Sequence, residues 1–259
     1  MNKIFIATHK KSTFPKEKIY IPIQVGAAKN QNLGILADNL GRNISDQNSN
    51  FCELTALYYI WKNEEDYDTI GLCHYRRYFF KNIFKRNILE NVLEAEEIDN
   101  IMKKYDIILP EPLALGKLTV KEQYAKFHNV SDFERCREII QLKHKEYLEA
   151  FDNVSNRHYL YAYNMFIMKK QEFYDYMEWV FDILFELQKQ INIDLYDDYN
   201  KRVYGFLSER LFNVWLDKNN FNIKTVPVFN TESKYSVELK SFISNKVKVL
   251  AYKKGSNKY

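Results

Sequence analysis

His74, Arg76 and Arg77 follow directly on the apolar run Ile70-Gly71-Leu72-Cys73, and no other stretch of the 259-residue chain carries so sharp a chemical signal. Guanidiniums are planar, forked and always charged, so two of them beside an imidazole suit phosphate oxygens. Charge left at the end of a buried strand is unfavourable without an anionic partner. The alternative is that these groups pair with Asp or Glu from the body of the protein. Thr8-His9-Lys10 follows a second apolar run, Ile4 to Ala7. Its hydroxyl, imidazole and ammonium suit a base, ribose or phosphate, although a solvated turn uses the same residue types. Asp38, Asn39, Asn43, Ser45 and Asn48 offer partners for nucleotide or sugar hydroxyls, and Asx turns use such residues as well. Asn164 interrupts an apolar run, where it can either touch a sugar or satisfy buried backbone.

Several chemistries are excluded by spacing. The seven glycines are scattered, so neither a GxGxxG fingerprint nor a P-loop is present to let backbone approach phosphate. The five His lie at least 14 residues apart, which rules out an HExxH zinc helix. Cys52, Cys73 and Cys136 form no CxxC pair and point to a reducing, cytoplasmic setting. The N-terminus lacks a signal-peptide pattern, and no window holds the 18 or so apolar residues that span a bilayer. Net charge is +4, but residues 239–259 hold six Lys and no acid, leaving the rest at −2. A basic tail on a near-neutral body argues against nucleic acid as the partner.

These groups must be carried by alternating elements. Strands are expected over 3–8, 19–25, 68–73, 106–109, 159–168 and 223–229. Helices are expected over 50–62, 87–104, 171–190 and 206–218, with capping boxes at Asn50/Glu53, Thr119/Glu122 and Ser131/Glu134. The alternation predicts an α/β fold with a mostly parallel central sheet flanked by helices. Residues 1–229 read as one domain and 230–259 as a basic tail.

Read in order, several blocks carry a family resemblance. They are Thr8-His9-Lys10, Pro22 to Ala27, Asp38-Asn39, Asn43-Ile44-Ser45, Glu53 to Tyr58 with Trp61-Lys62-Asn63, and Gly71 to Phe79. Gln123-Tyr124 with His128, Asn164 to Met168 and Gly205 to Leu211 complete the set. Together they resemble a bacterial family of capsular and exopolysaccharide glycosyltransferases long catalogued as a domain of unknown function, over about residues 3–228. The resemblance implies a GT-A-like fold and hexosyl transfer from a UDP-sugar, with a galactofuranosyl donor in some relatives. It implies inversion, with Glu209 at the place where inverting relatives carry their base; the alternative is that Glu209 pairs with Arg210 or Arg202 and is structural. Asp132, near His128 at a helix N-terminus, is the second candidate base, where capping explains it as well, and His128 and Asn164 are the candidates for the acceptor side. Many GT-A enzymes hold a divalent metal with Asp-x-Asp after this strand. Here Asp66-Tyr67-Asp68 precedes it, and the following positions are His74 to Arg77. Fixed cations can neutralise a leaving diphosphate as a metal does. The expectation is therefore transfer without a cofactor, with Mn2+ or Mg2+ kept as the alternative.

The expected partners are a UDP-sugar and a lipid-linked oligosaccharide. Residues 235–252 mix Val237, Leu239, Phe242, Ile243, Val247, Val249 and Leu250 with Lys240, Lys246 and Lys248. Such a segment can lie on an anionic inner membrane face or dock on the domain. The rival readings are an inactive sugar-binding scaffold of a capsule assembly complex and, against the charge balance, a nucleic-acid binder.

Overall fold

The computed structural model describes residues 1–256, with side chains to 253. Its strands are β1 (Asn2–Thr8), β2 (Tyr20–Gln24), β3 (Leu36–Ala37), β4 (Thr69–His74), β5 (Arg77–Phe79) and β6 (Ile107–Pro110). They continue with β7 (Leu113–Ala114), β8 (Tyr159–Leu160), β9 (Phe166–Lys169), β10 (Ile223–Val226) and β11 (Val228–Asn230). The helices are α1 (Asn48–Phe51), α2 (Leu54–Asn63), α3 (Ala95–Met102), α4 (Val120–Phe127) and α5 (Val130–Lys143). Then come α6 (Leu148–Ser155), α7 (Lys170–Gln190), α8 (Val203–Asn219) and α9 (Tyr235–Ser256).

The main sheet runs β10-β6-β9-β4-β1-β2-β3. Only β9 is antiparallel to its neighbours along that path. This is the mostly parallel, helix-flanked α/β architecture that the alternation predicts. Successive residues of β1 point to opposite faces and both faces are buried. Phe5 and Ala7 join the core shared with α2, α7 and α8, while Ile4 and Ile6 join a second core with Tyr78, Phe79 and Ile98. A two-sided core explains why the strand reads as an unbroken apolar run.

Gly71 in β4 sits where nothing larger fits. A Cβ there would lie 2.8 Å from Ile4 Cδ1 and 2.9 Å from both Ile167 Cγ1 and the Phe166 carbonyl oxygen. Gly71→Ala is expected to cost about 1–3 kcal/mol through overpacking. Thermal unfolding should show a midpoint lowered by several degrees, and an unchanged midpoint would contradict this packing.

Among the boundaries that differ from the sequence expectation, four have a clear local reason. Asn50 does not cap a helix; its amide donates to the Lys201 carbonyl at 3.0 Å, and α2 starts only at Leu54 after Cys52 breaks the chain at φ +53°. The α5 cap is Asn129, which accepts from the Ser131 N–H. The helix expected from 87 begins at 95, where Glu94 and Glu97 form the capping box, because Ile88, Val92 and Leu93 are used to cover the sheet. The strand expected over 159–168 is split by Tyr163 and Asn164, both at positive φ.

Candidate active site

The chain leaves β1 to form β2 and β3 on one side, then returns to build β4 on the other side of β1. In open α/β sheets such a switch point opens a crevice at the carboxyl ends of the strands. A cavity of about 620 Å³ lies there. One wall comes from the sheet: Ala7 near the end of β1 and His9 just after it, His74 at the end of β4, Arg76 just before β5 and Arg77 at its start. Because β9 runs antiparallel, the residues that precede it reach the same edge, and they contribute Tyr163. The facing wall is helical, with Cys52 and Glu53 between α1 and α2, Arg202 just before α8, and Glu209 within α8.

The basic side chains in this cavity are held in different ways. His74 Nε2 is 2.6 Å from the Tyr163 carbonyl oxygen. The Arg77 guanidinium lies 4.5 Å from the Tyr163 ring centre and, among the described residues, forms no ion pair with a carboxylate. Arg202 donates through Nε to Cys52 Sγ at 3.3 Å and likewise has no carboxylate ion pair among the described residues. Arg76 and Lys10 do pair with an acid, sharing Glu232 at 3.3 and 3.0 Å at the exposed mouth. Exposed pairs of this kind are weak and yield to a better anion. Burial, helped by the charges of Lys10 and Arg76, pushes the His9 imidazole below its ordinary range, so it is neutral near pH 7. Burial also raises the Cys52 thiol to about 11, which makes it a poor nucleophile.

Two carboxylates face these basic groups. Glu209 accepts from the Tyr163 N–H at 2.8 Å through one oxygen and from Arg210 at 3.0 Å through the other. Arg210 is fixed in turn by the Phe206 carbonyl at 2.8 Å and by Gln123 Oε1 at 2.7 Å. The structural pairing of Glu209 with Arg210 is thus real, yet 22 % of the Glu209 side chain stays exposed where it lines the cavity. Desolvation holds its carboxyl above the usual range; Arg210 opposes the shift and Glu53 adds to it. Glu53 accepts from Asn164 Nδ2 at 2.7 Å. Both residues depend on strained backbone. Cys52 (φ +53°), Tyr163 (+75°) and Asn164 (+50°) are three of the four positive-φ non-glycine residues described, and strain of this kind gathers at functional sites.

Of the residues singled out in the sequence, His9, His74, Arg76, Arg77 and Glu209 line this one cavity. Lys10 stands at its mouth through Glu232, and Thr8 is buried, its hydroxyl donating to the Lys10 carbonyl at 2.6 Å. The loop residues divide. Asn48 lines the cavity, whereas Asp38 is fully buried and accepts from the Gly26 and Ala27 N–H groups, Ser45 and Thr55. Asp38 and Ser45 are therefore spent on holding the loop, while Asn43 forms an Asx turn with Ser45 and Asn39 is exposed away from the cavity. Asn164 is 2 % exposed and supports Glu53 from behind. His128 and Asp132 lie outside the cavity. His128 stacks on Phe206 at 4.2 Å, and Asp132 is buried, accepting from the Tyr196 hydroxyl at 2.8 Å because the first turn of α5 packs inward.

Asp66 and Asp68 precede β4, at the opposite edge of the sheet, and Asp68 pairs with the N-terminal amine. No group of three His, Cys, Asp or Glu suited to a metal occurs among the described residues. The acids that do reach the cavity are already engaged by Asn164, Tyr163 and Arg210, so the donor set does not fit a metal carried by Asp-x-Asp. Glu53, Arg202 and Tyr163 were not singled out as site residues. Glu53 carries the spacing of a helix cap, and a strained tyrosine leaves no mark in sequence.

The fold is shared with a solved protein. The apo structure of the WbbM bifunctional glycosyltransferase superposes with a TM-score of 0.83 and 30 % identity, over 90 % of this chain. The chain spans 46 % of that protein. A comparison with curated proteins gives no match. The family model described as "Domain of unknown function (DUF4422)" matches residues 3–220, most of the sheet and every wall of the cavity, and the chain belongs to that family.

Proposed function

We propose that this protein is a glycosyltransferase that moves a hexosyl unit, galactosyl or galactofuranosyl, from a UDP-sugar to a capsular or exopolysaccharide acceptor carried on a lipid. One observation supports the reading above others: Arg77, Arg202, Arg76, His74 and His9 converge at the sheet's switch point and face Glu209 and Glu53 across one cavity. Its volume of about 620 Å³ is within the range of small-molecule sites. Likeness to a bifunctional glycosyltransferase supports the same class.

In this mechanism the arginines bind the donor diphosphate, with the two imidazoles as hydrogen-bonding partners, and stabilise the charge that grows on it as the anomeric C–O bond breaks. The acceptor hydroxyl oxygen bonds to the anomeric carbon, its proton passes to the Glu209 carboxylate, and UDP leaves. The raised carboxyl of Glu209 makes it a stronger base than an exposed glutamate. Tyr163 N–H and Arg210 aim the carboxylate, and Asn164 aims Glu53 beside it. Inversion at the anomeric carbon follows from the family resemblance. No helix among the described residues is long and apolar enough to cross a membrane. In this reading a lipid-linked acceptor is met at the inner membrane surface.

The test is turnover of UDP-galactose and UDP-galactofuranose by purified protein in excess EDTA. Undiminished transfer is expected, and Asp68→Asn should match wild type. Loss of all activity in EDTA, restored by manganese, would overturn the metal-independent mechanism. Failure to release UDP from any donor would instead support the sugar-binding scaffold.

A further inference from the structure

One apolar surface is left uncovered by the fold and unused by the mechanism. On its inner side α9 docks through Tyr235, Leu239 and Phe242, and through Asn245, which accepts from the Ala114 N–H at 2.8 Å. Its outer side is also apolar. Ile243, Val247 and Leu250 are 53, 65 and 51 % exposed and fall at helical spacing on one stripe with Ser236 and Lys240. The only acid in α9, Glu238, is turned to the sheet side, where it accepts from the Asn230 N–H at 3.1 Å. Lys240 and Lys248 are exposed and have no ion pair among the described residues, whereas Lys246 is taken up by Glu111 at 3.0 Å.

A second segment, distant in sequence, reaches the same stripe. Phe84 is 87 % exposed, the highest value among the large apolar side chains described, and it is followed by exposed Lys85 and Arg86. This loop is tied to the start of α9, because the Tyr235 hydroxyl donates to the Ile83 carbonyl. Arg86 lines one surface cavity of about 460 Å³ together with Tyr235, Ser236, Leu239 and Lys240.

We infer that the Phe84-Lys85-Arg86 tip and the outer stripe of α9 form one surface that rests on an anionic bilayer. The inference deepens the acceptor side of the function proposed above by naming the face turned to the lipid. Exposed Phe, Ile, Val and Leu enter the headgroup–acyl boundary, while unpaired Lys and Arg meet anionic headgroups. Charge complementarity selects lipid over a second copy, since a second copy would offer the same unpaired Lys240 and Lys248, and the one acid of α9, Glu238, is turned to the sheet side.

The test is co-sedimentation of the full chain with vesicles of pure phosphatidylcholine and of equimolar phosphatidylcholine and phosphatidylglycerol. Wild type should pellet with the anionic vesicles only, and less so at high salt. Lys240→Glu and Lys248→Glu should each weaken binding at least about fivefold, the effect of ~1 kcal/mol per lysine. Phe84→Ser and the triple change Ile243→Ser, Val247→Ser, Leu250→Ser should each reduce it at least about tenfold, with circular dichroism unchanged because all four positions are exposed. Absence of wild-type binding, or variants that pellet like wild type, would overturn the inference. So would a wild-type dimer that the triple change converts to monomer without any vesicle binding. Donor turnover in solution is read separately, so failure here leaves the catalytic proposal standing.

Discussion

Glu209→Gln is expected to lower kcat by about 10²–10⁴-fold, the usual worth of a general base, while KM for the donor changes little. Glutamine keeps a carbonyl oxygen to accept the Tyr163 N–H and keeps the side-chain volume, so the cavity should survive. Stability supplies a second readout whose sign follows from linkage. Desolvation raises the folded-state pKa of Glu209 above its ordinary value of 4.5. The folded state then binds the proton more tightly than the unfolded chain. Any stability from this group is fully present below pH 4.5 and is lost as pH rises through the raised value. Glu209→Gln removes that penalty, so its thermal midpoint at pH 7 should equal or exceed that of wild type, with the gap closing near pH 4. In wild type the acid limb of kcat/KM should lie above the ordinary glutamate range. A folded Glu209→Gln protein that keeps most of its rate would remove the base assignment.

Arg77→Met is expected to reduce kcat/KM by about 10²–10³-fold, as loss of a fixed donor to developing charge does. Methionine preserves an apolar contact with the Tyr163 ring, so the loss should come from charge. Lys10→Met should cost much less, because Lys10 stands at the exposed mouth and already shares Glu232 with Arg76. Steady-state kinetics on the two variants side by side gives this ordering, and equal losses would contradict it.

The cationic wall was legible in the sequence because an apolar run ending in His74-Tyr75-Arg76-Arg77 dictates both a buried strand and the edge where its charges emerge. The edge shared with His9 followed from reading β1 the same way. The acidic side was only half legible. Glu209 entered through a family likeness, and Gln123, which fixes its partner Arg210, lies 87 residues from that arginine. Glu53 stood three residues after Asn50, a spacing that mimics a helix cap, and Cys52's left-handed backbone turns it into the cavity instead. Tyr163 and Asn164 look like mid-strand residues; their positive φ is imposed by the tertiary wall they complete. Asp38 and Asp132 erred in the opposite direction. Polar residues in a loop and at a helix start look available to ligand, yet both are engaged by hydroxyls and backbone that the sequence does not bring near them.

Calorimetric titration of UDP into wild type and Arg77→Met, both in excess EDTA, bears most directly on the electrostatic cradle. Wild type should bind without metal, and Arg77→Met about 10- to 150-fold more weakly, the range for one charge-assisted hydrogen-bonding group. Binding abolished by EDTA and restored by manganese, or an Arg77→Met protein that binds UDP as wild type does, would contradict it.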